Sequence, residues 1–146
     1  MKNIISFLEK NPNSNDLGLL ALRILPAYYF IVDHGWSKIT NPSKWGNLGD
    51  AFTKYFGGLL DFANPFFGFF AAFSESICAI LILIGLFTRP ASFLALFTML
   101  IAALKHITTT GSPEKAWLYF SIFLAIFLLG PGKYSLDKIF FSNNNS

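Results

Sequence analysis

The chain has 146 residues, 53% of them hydrophobic and only 13% charged, with a mean hydropathy of +0.51; soluble domains carry about a quarter charged residues, so this composition points to a membrane. The net charge of +3 comes from 11 Lys and Arg spread without a run, which excludes the clustered basic face of a nucleic-acid binder. Cys78 is the single cysteine, so the chain by itself forms neither an internal disulfide nor a Cys-based metal site.

At the N-terminus, Ile4, Ile5, Phe7 and Leu8 lie close to one helical face, the pattern of a short helix resting in the membrane interface. The segment lacks the long apolar core and small-residue cleavage site of a signal peptide. An apolar run from Leu17 to Val32 follows, with Asp16 placed to cap it. Arg23 and Pro26 interrupt this first span. Pro26 removes a backbone hydrogen bond and should bend the helix. Arg23 lies about 9 Å inside by rise per residue, which leaves two readings open: snorkelling to the near surface or an inward polar contact.

From Gly35 to Pro65 glycines, prolines and charges break any apolar run. Within this loop Trp45, Leu48, Phe52, Tyr55, Phe56 and Leu59 recur every three or four residues, which predicts an amphipathic helix lying on the membrane surface. Phe66 to Leu86 then carries one ionisable side chain, Glu75, over roughly 30 Å of helix, the thickness of a bilayer core. Pro90 makes the turn into the third span short, so spans two and three form an antiparallel hairpin. A fourth, shorter apolar run ends at Gly130-Pro131-Gly132. The expected fold is all-α: one integral membrane domain over 1–146, a four-helix transmembrane bundle with a short amphipathic helix between spans one and two. The spans fall at about 17–34, 66–87, 90–107 and 115–130, with a surface loop at 35–65 and a disordered tail at 142–146. Four spans put both termini on one side, and the distribution of Lys and Arg leans slightly toward the cytoplasm for them.

A carboxylate in mid-span costs on the order of 3 kcal/mol on insertion scales, so Glu75 should face protein or a partner charge. Side chains lean toward the helix N-terminus, which turns Glu75 toward the long-loop side and away from Arg89 and Arg23. On that side the ends of spans one and three bring His34, Lys38, Lys105 and His106 to one depth. The candidate polar site is therefore Glu75 with His34, Lys38, Lys105 and His106, and Arg23 as the in-span cation. One reading is a structural network that fixes helix register. The other is a proton-handling or quinone-head-group site, because a quinol needs a proton acceptor and a hydrogen-bond donor near the membrane surface. His34 and His106 could in principle ligate a haem or metal from two helices, but interface histidines are far commoner and no metal is expected. There is no Gly-rich phosphate loop, nucleophile constellation or redox Cys pair.

Leu22-Arg23, then Gly35-Trp36-Ser37-Lys38, then Glu75 ahead of Leu83-Ile84-Gly85-Leu86-Phe87-Thr88-Arg89, and finally Gly130-Pro131-Gly132-Lys133-Tyr134-Ser135-Leu136-Asp137 together resemble the DoxX family of small bacterial membrane proteins. The resemblance implies a four-helix protein of the bacterial plasma membrane. The chain has no bound-cofactor motif of its own, so no covalently bound cofactor is expected. Some relatives are linked to quinone-coupled sulfur oxidation or to membrane redox complexes. By that likeness the expected function is an accessory or quinone-interacting subunit of a membrane redox system, the alternative being a non-enzymatic scaffold that recruits partners. The expected partners are the lipid bilayer and redox-complex subunits or a quinone. In the last fragment Ser135 with Asp137 could cap a short terminal helix.

Overall fold

The computed structural model describes residues 13–109 and 111–141. The expected N-terminal interfacial helix and the tail at 142–146 lie outside the described residues. All regular structure among those residues is helical.

The first rod comprises α1 (Asn13–Phe30), a π-helical turn (Ile31–Gly35) and α2 (Trp36–Ile39) without a break, and its stretch Ser14–Ile39, 26 residues, is long and apolar enough to cross a membrane. It begins ahead of Asp16, which therefore does not cap it. The Asp16 carboxylate instead accepts the Lys133 backbone N–H at 2.9 Å. The rod also runs past Gly35, into what the sequence reads as loop, because the π turn continues the backbone hydrogen bonding without a break.

The surface segment holds α3 (Trp45–Thr53), flanked by 3-10 turns. The amphipathic periodicity extends to Leu59, but the helix stops sooner because Gly57 and Gly58 adopt positive φ of 59° and 88°, a conformation that ends a helix. The second rod comprises α4 (Asn64–Phe73), a second π turn (Ser74–Cys78) and α5 (Ala79–Ile84). α3 lies directly on α4. A Cβ at Gly68 would stand 1.7 Å from the Trp45 carbonyl oxygen, so only glycine permits that backbone contact.

A tight turn leads to α6 (Thr88–Thr108). Gly85, at φ 74°, closes α5: its N–H reaches the Ile82 carbonyl at 3.1 Å and the Leu86 N–H reaches Leu81 at 2.9 Å, a Schellman arrangement. Phe87 is held at φ 48°, uncommon for a residue with a side chain. Asp137 compensates, its carboxylate accepting the N–H groups of Phe87 at 2.7 Å and Thr88 at 2.9 Å. Asp137 thus caps α6 from 49 residues away. The terminal helix α8 (Leu136–Phe141) is capped by Ser135, whose hydroxyl oxygen accepts the Lys138 N–H at 3.2 Å.

Between them, α7 (Glu114–Leu129) has 16 residues and packs on α6 and α1. Phe30 and Phe123 are fully buried, with ring centroids 4.9 Å apart, beside Ile82, Ile126, Ala95 and Met99. Among the described residues, three stretches are long and apolar enough to cross a membrane: Ser14–Ile39, Asp61–Ile84 and Thr88–Thr108. The outer faces are apolar too, Leu25 being 61% and Leu118 60% exposed, while Arg23 and Glu75 are only 1% and 2% exposed. Apolar groups outside with charges inside is the reverse of a water-soluble surface, and it suits lipid contact.

Candidate functional site

The five polar residues of the loop side and Arg23 sort into separate places. Glu75 sits in the second π turn and faces the bundle interior. Its Oε2 accepts from Lys38 Nζ at 2.5 Å, the Lys38 side chain being 24% and that of Glu75 3% exposed. Lys38 stands just beyond the first π turn. A π turn inserts one residue, which rotates everything after it by about 100° relative to a continuous α-helix. The two turns lie against each other: a Cβ at Gly35 would stand 2.0 Å from the Glu75 carbonyl oxygen. That contact brings α2 close enough for the Lys38 side chain to reach the carboxylate. Trp45 fixes the lysine from behind, its Nε1–H donating to the Lys38 carbonyl at 3.0 Å.

The pair forms part of the wall of a cavity of about 250 Å³. Lys105 and His106 of α6 line the same cavity, and Phe52, Phe67, Phe70 and Phe97 supply its apolar walls. Thr98 is also in the lining, and accepts from the Ser74 hydroxyl at 2.7 Å. That bond ties the second π turn to α6. Phe70 and Phe97 are 41% and 44% exposed as well as lining the space, so the cavity reaches the outer surface between α4 and α6.

His34 is turned elsewhere. Its ring packs edge-on to Tyr119 at 6.1 Å and against Phe30 at 6.1 Å, on the α7 side of α1 and outside the cavity lining. His34 and His106 therefore face different neighbours, and among the described residues no group of three or more His, Cys, Asp and Glu gathers to hold a metal.

Arg23 lies at the other end of the bundle. Its Nε donates to the Ile82 carbonyl at 3.1 Å and Nη2 to the Tyr134 carbonyl at 3.0 Å, with a longer contact to Leu83 at 3.5 Å and a short one from Nη1 to the Pro131 carbonyl. Ile82 is about 10 Å further along the second rod than Glu75. The guanidinium, inward-facing rather than snorkelling, is a clamp joining α1 to the end of α5 and to the segment before α8. Gly85 makes room for it, since a Cβ there would stand 2.7 Å from Nη2.

The quoted fragments thus converge on two centres. Leu22-Arg23, the Gly85 turn and the Gly-Pro-Gly-Lys-Tyr-Ser-Leu-Asp segment meet at the clamp; Gly-Trp-Ser-Lys and Glu75 meet at the cavity. The residues that periodicity and charge did not single out are Gly35, Ser74 and Thr98. Ser74-Glu75-Ser76 inside an apolar run is the one sequence signal that could have marked the second π turn.

The family model described as DoxX matches residues 18–108, a stretch that includes the π turns, the Lys38–Glu75 pair and the charged cavity lining. No curated protein and no solved structure matches the chain. With three helices among the described residues able to cross a membrane and a family match over most of its length, the chain is a membrane protein and belongs to the DoxX family.

Proposed function

We propose that the protein is a plasma-membrane subunit of a quinone-linked redox system, with the cavity beside Lys38 and Glu75 receiving the head of a membrane-soluble quinone. The observation that carries this reading is an ammonium–carboxylate pair, its carboxylate buried, on the wall of a cavity with aromatic sides. When bound, a quinone supplies two-electron, two-proton chemistry. The residues present fit such a head: an ammonium has three N–H donors and only one is taken by Glu75, so Lys38 can donate to a ring oxygen. The second carboxylate oxygen of Glu75 can accept a proton at the same place. Aromatic walls suit a flat ring and its lipid tail. In this reading α7 is the fourth crossing, its 16 residues matched by local thinning or snorkelling of Lys115, and both termini face the cytoplasm. Redox partners would dock on the loop surface, the side on which the cavity lies.

Thermal stability in neutral detergent tests it. A soluble quinone analogue should raise the melting temperature of the wild type, and Glu75→Gln should lose most of that rise. Absence of any rise in the wild type sinks the reading.

One observation favours a second reading, a scaffold without its own ligand. Leu59 and Phe62, in the surface segment, are 74% and 84% exposed, an apolar pair available to a partner subunit. Co-purification of a specific protein that is lost when both become Ser, with no quinone effect, would favour it.

A further inference from the structure

The charges lining the cavity do not cancel. Lys38 is neutralised by Glu75 at 2.5 Å. Lys105, half-buried in the same lining, has no ion-pair partner among the described residues. His106 stands beside it in the lining, its ring against Gly111. Lys54, at the same end of α6, is committed elsewhere: its Nζ donates to the Thr108 hydroxyl at 3.0 Å and lies 5.0 Å over the Tyr55 ring. An unpaired ammonium beside four aromatic walls is costly unless an anion joins it.

From these features we infer that the cavity takes an amphiphile with an anionic head group. The head pairs with the Lys105 ammonium, with His106 as a second hydrogen-bond donor. The tail lies among Phe67, Phe70 and Phe97 and leaves through the opening between α4 and α6. This goes beyond the quinone reading and does not depend on it, since a quinone head is neutral and is assigned to Lys38 and Glu75. Because both would fill one space of about 250 Å³, an anionic amphiphile would exclude a quinone. A carboxylate and a phosphate head satisfy the same chemistry.

The test is saturable binding of radiolabelled oleate to the purified full chain in a neutral detergent at about pH 8, where a fatty-acid carboxylate is ionised. Oleyl alcohol and lysophosphatidate of the same chain length serve as competitors. One charge-assisted contact predicts that oleate or lysophosphatidate binds at least about tenfold tighter than oleyl alcohol. Lys105→Gln should erase that preference and Lys105→Arg should keep it. Ala102→Phe, which fills the cavity, should abolish saturable binding of all three. Whichever anionic competitor is the stronger names the head group. Equal binding of oleate and oleyl alcohol to the wild type overturns the inference without need of any variant, as does an undiminished preference in Lys105→Gln. Failure of the quinone reading shows separately, as the absence of a quinone-induced melting shift in the wild type.

Discussion

Gly35 rests directly on the main-chain carbonyl of Glu75: a Cβ at position 35 would stand 2.0 Å from that oxygen and 2.8 Å from the Ser76 nitrogen. Each residue lies in a π turn, and the two turns meet where neither helix can give way by rotating a side chain. The close approach aligns Lys38 with the Glu75 carboxylate. Packing of backbone on backbone thus positions the ion pair.

Gly35→Ala is therefore expected to force α1 and α4 apart. Because the obstructing atoms are backbone, the cost should reach the upper part of the overpacking range, about 3 kcal/mol. Thermal unfolding in detergent should show a lower midpoint than wild type. Gly18→Ala, at a position with nothing within 4 Å, is the control and should match or slightly exceed wild type, since alanine is the better helix former. Equal midpoints for Gly35→Ala and wild type would mean that the two π turns are not in contact.

The ion pair should be asymmetric. Lys38→Met leaves a carboxylate that is 3% exposed without its cation, whereas Glu75→Gln leaves a lysine that is 24% exposed and able to swing toward water. The first change is expected to cost about 3 kcal/mol and the second about 1 kcal/mol. Lys38→Met combined with Glu75→Leu removes both charges and should recover most of the loss, as replacement of a whole buried pair by apolar groups often does. Chemical denaturation of the wild type, Lys38→Met, Glu75→Leu and the double variant measures the coupling. A Glu75→Gln variant less stable than Lys38→Met would reverse this picture.

The Arg23 clamp is a matter of geometry as much as charge. Its planar fork meets carbonyls of Ile82, Leu83, Pro131 and Tyr134 at once, and a lysine offers no such fork. Arg23→Lys should lower the melting midpoint substantially, on the order of 3 kcal/mol, by stranding buried carbonyls. It should leave the quinone-induced shift intact, because the clamp and the cavity are at opposite ends of the bundle. Loss of that shift in a folded Arg23→Lys protein would show that the two centres are coupled.

The contrast between these two centres marks what can be read from sequence. Apolar runs interrupted by Pro, Gly and charges disclose the long helices, since lipid contact demands continuous apolar surface. The lean of helical side chains was enough to turn Glu75 toward the loop side and to restrict its partner to Lys38, Lys105 or His106. The choice of Lys38 is not legible: it depends on an inserted residue in each π turn, and only the second turn, at Ser74-Glu75-Ser76, carries any sequence signal. The same phase shift explains why His34, expected with Lys38, packs on Tyr119. Nor were the partners of Arg23 legible, because main-chain carbonyls look alike at every position. Asp137, read as a cap for its own helix, serves instead the start of α6, a pairing made by the tertiary fold.

Whether α7 crosses the bilayer can be settled by chemical labelling. The native Cys78 is 1% exposed and should give little background with a membrane-impermeant maleimide, as thiol reactivity requires access. Single cysteines at Lys115 and Lys138 flank α7, the first just inside its start and the second in α8. If the helix spans the membrane with both termini cytoplasmic, intact cells should label Lys115→Cys and spare Lys138→Cys, and opened membranes should label both. Labelling of Lys138→Cys alone in intact cells would keep the crossing and reverse the orientation. Equal labelling of the two in intact cells would place both ends of α7 on the outer side, leaving three crossings by the longer helices.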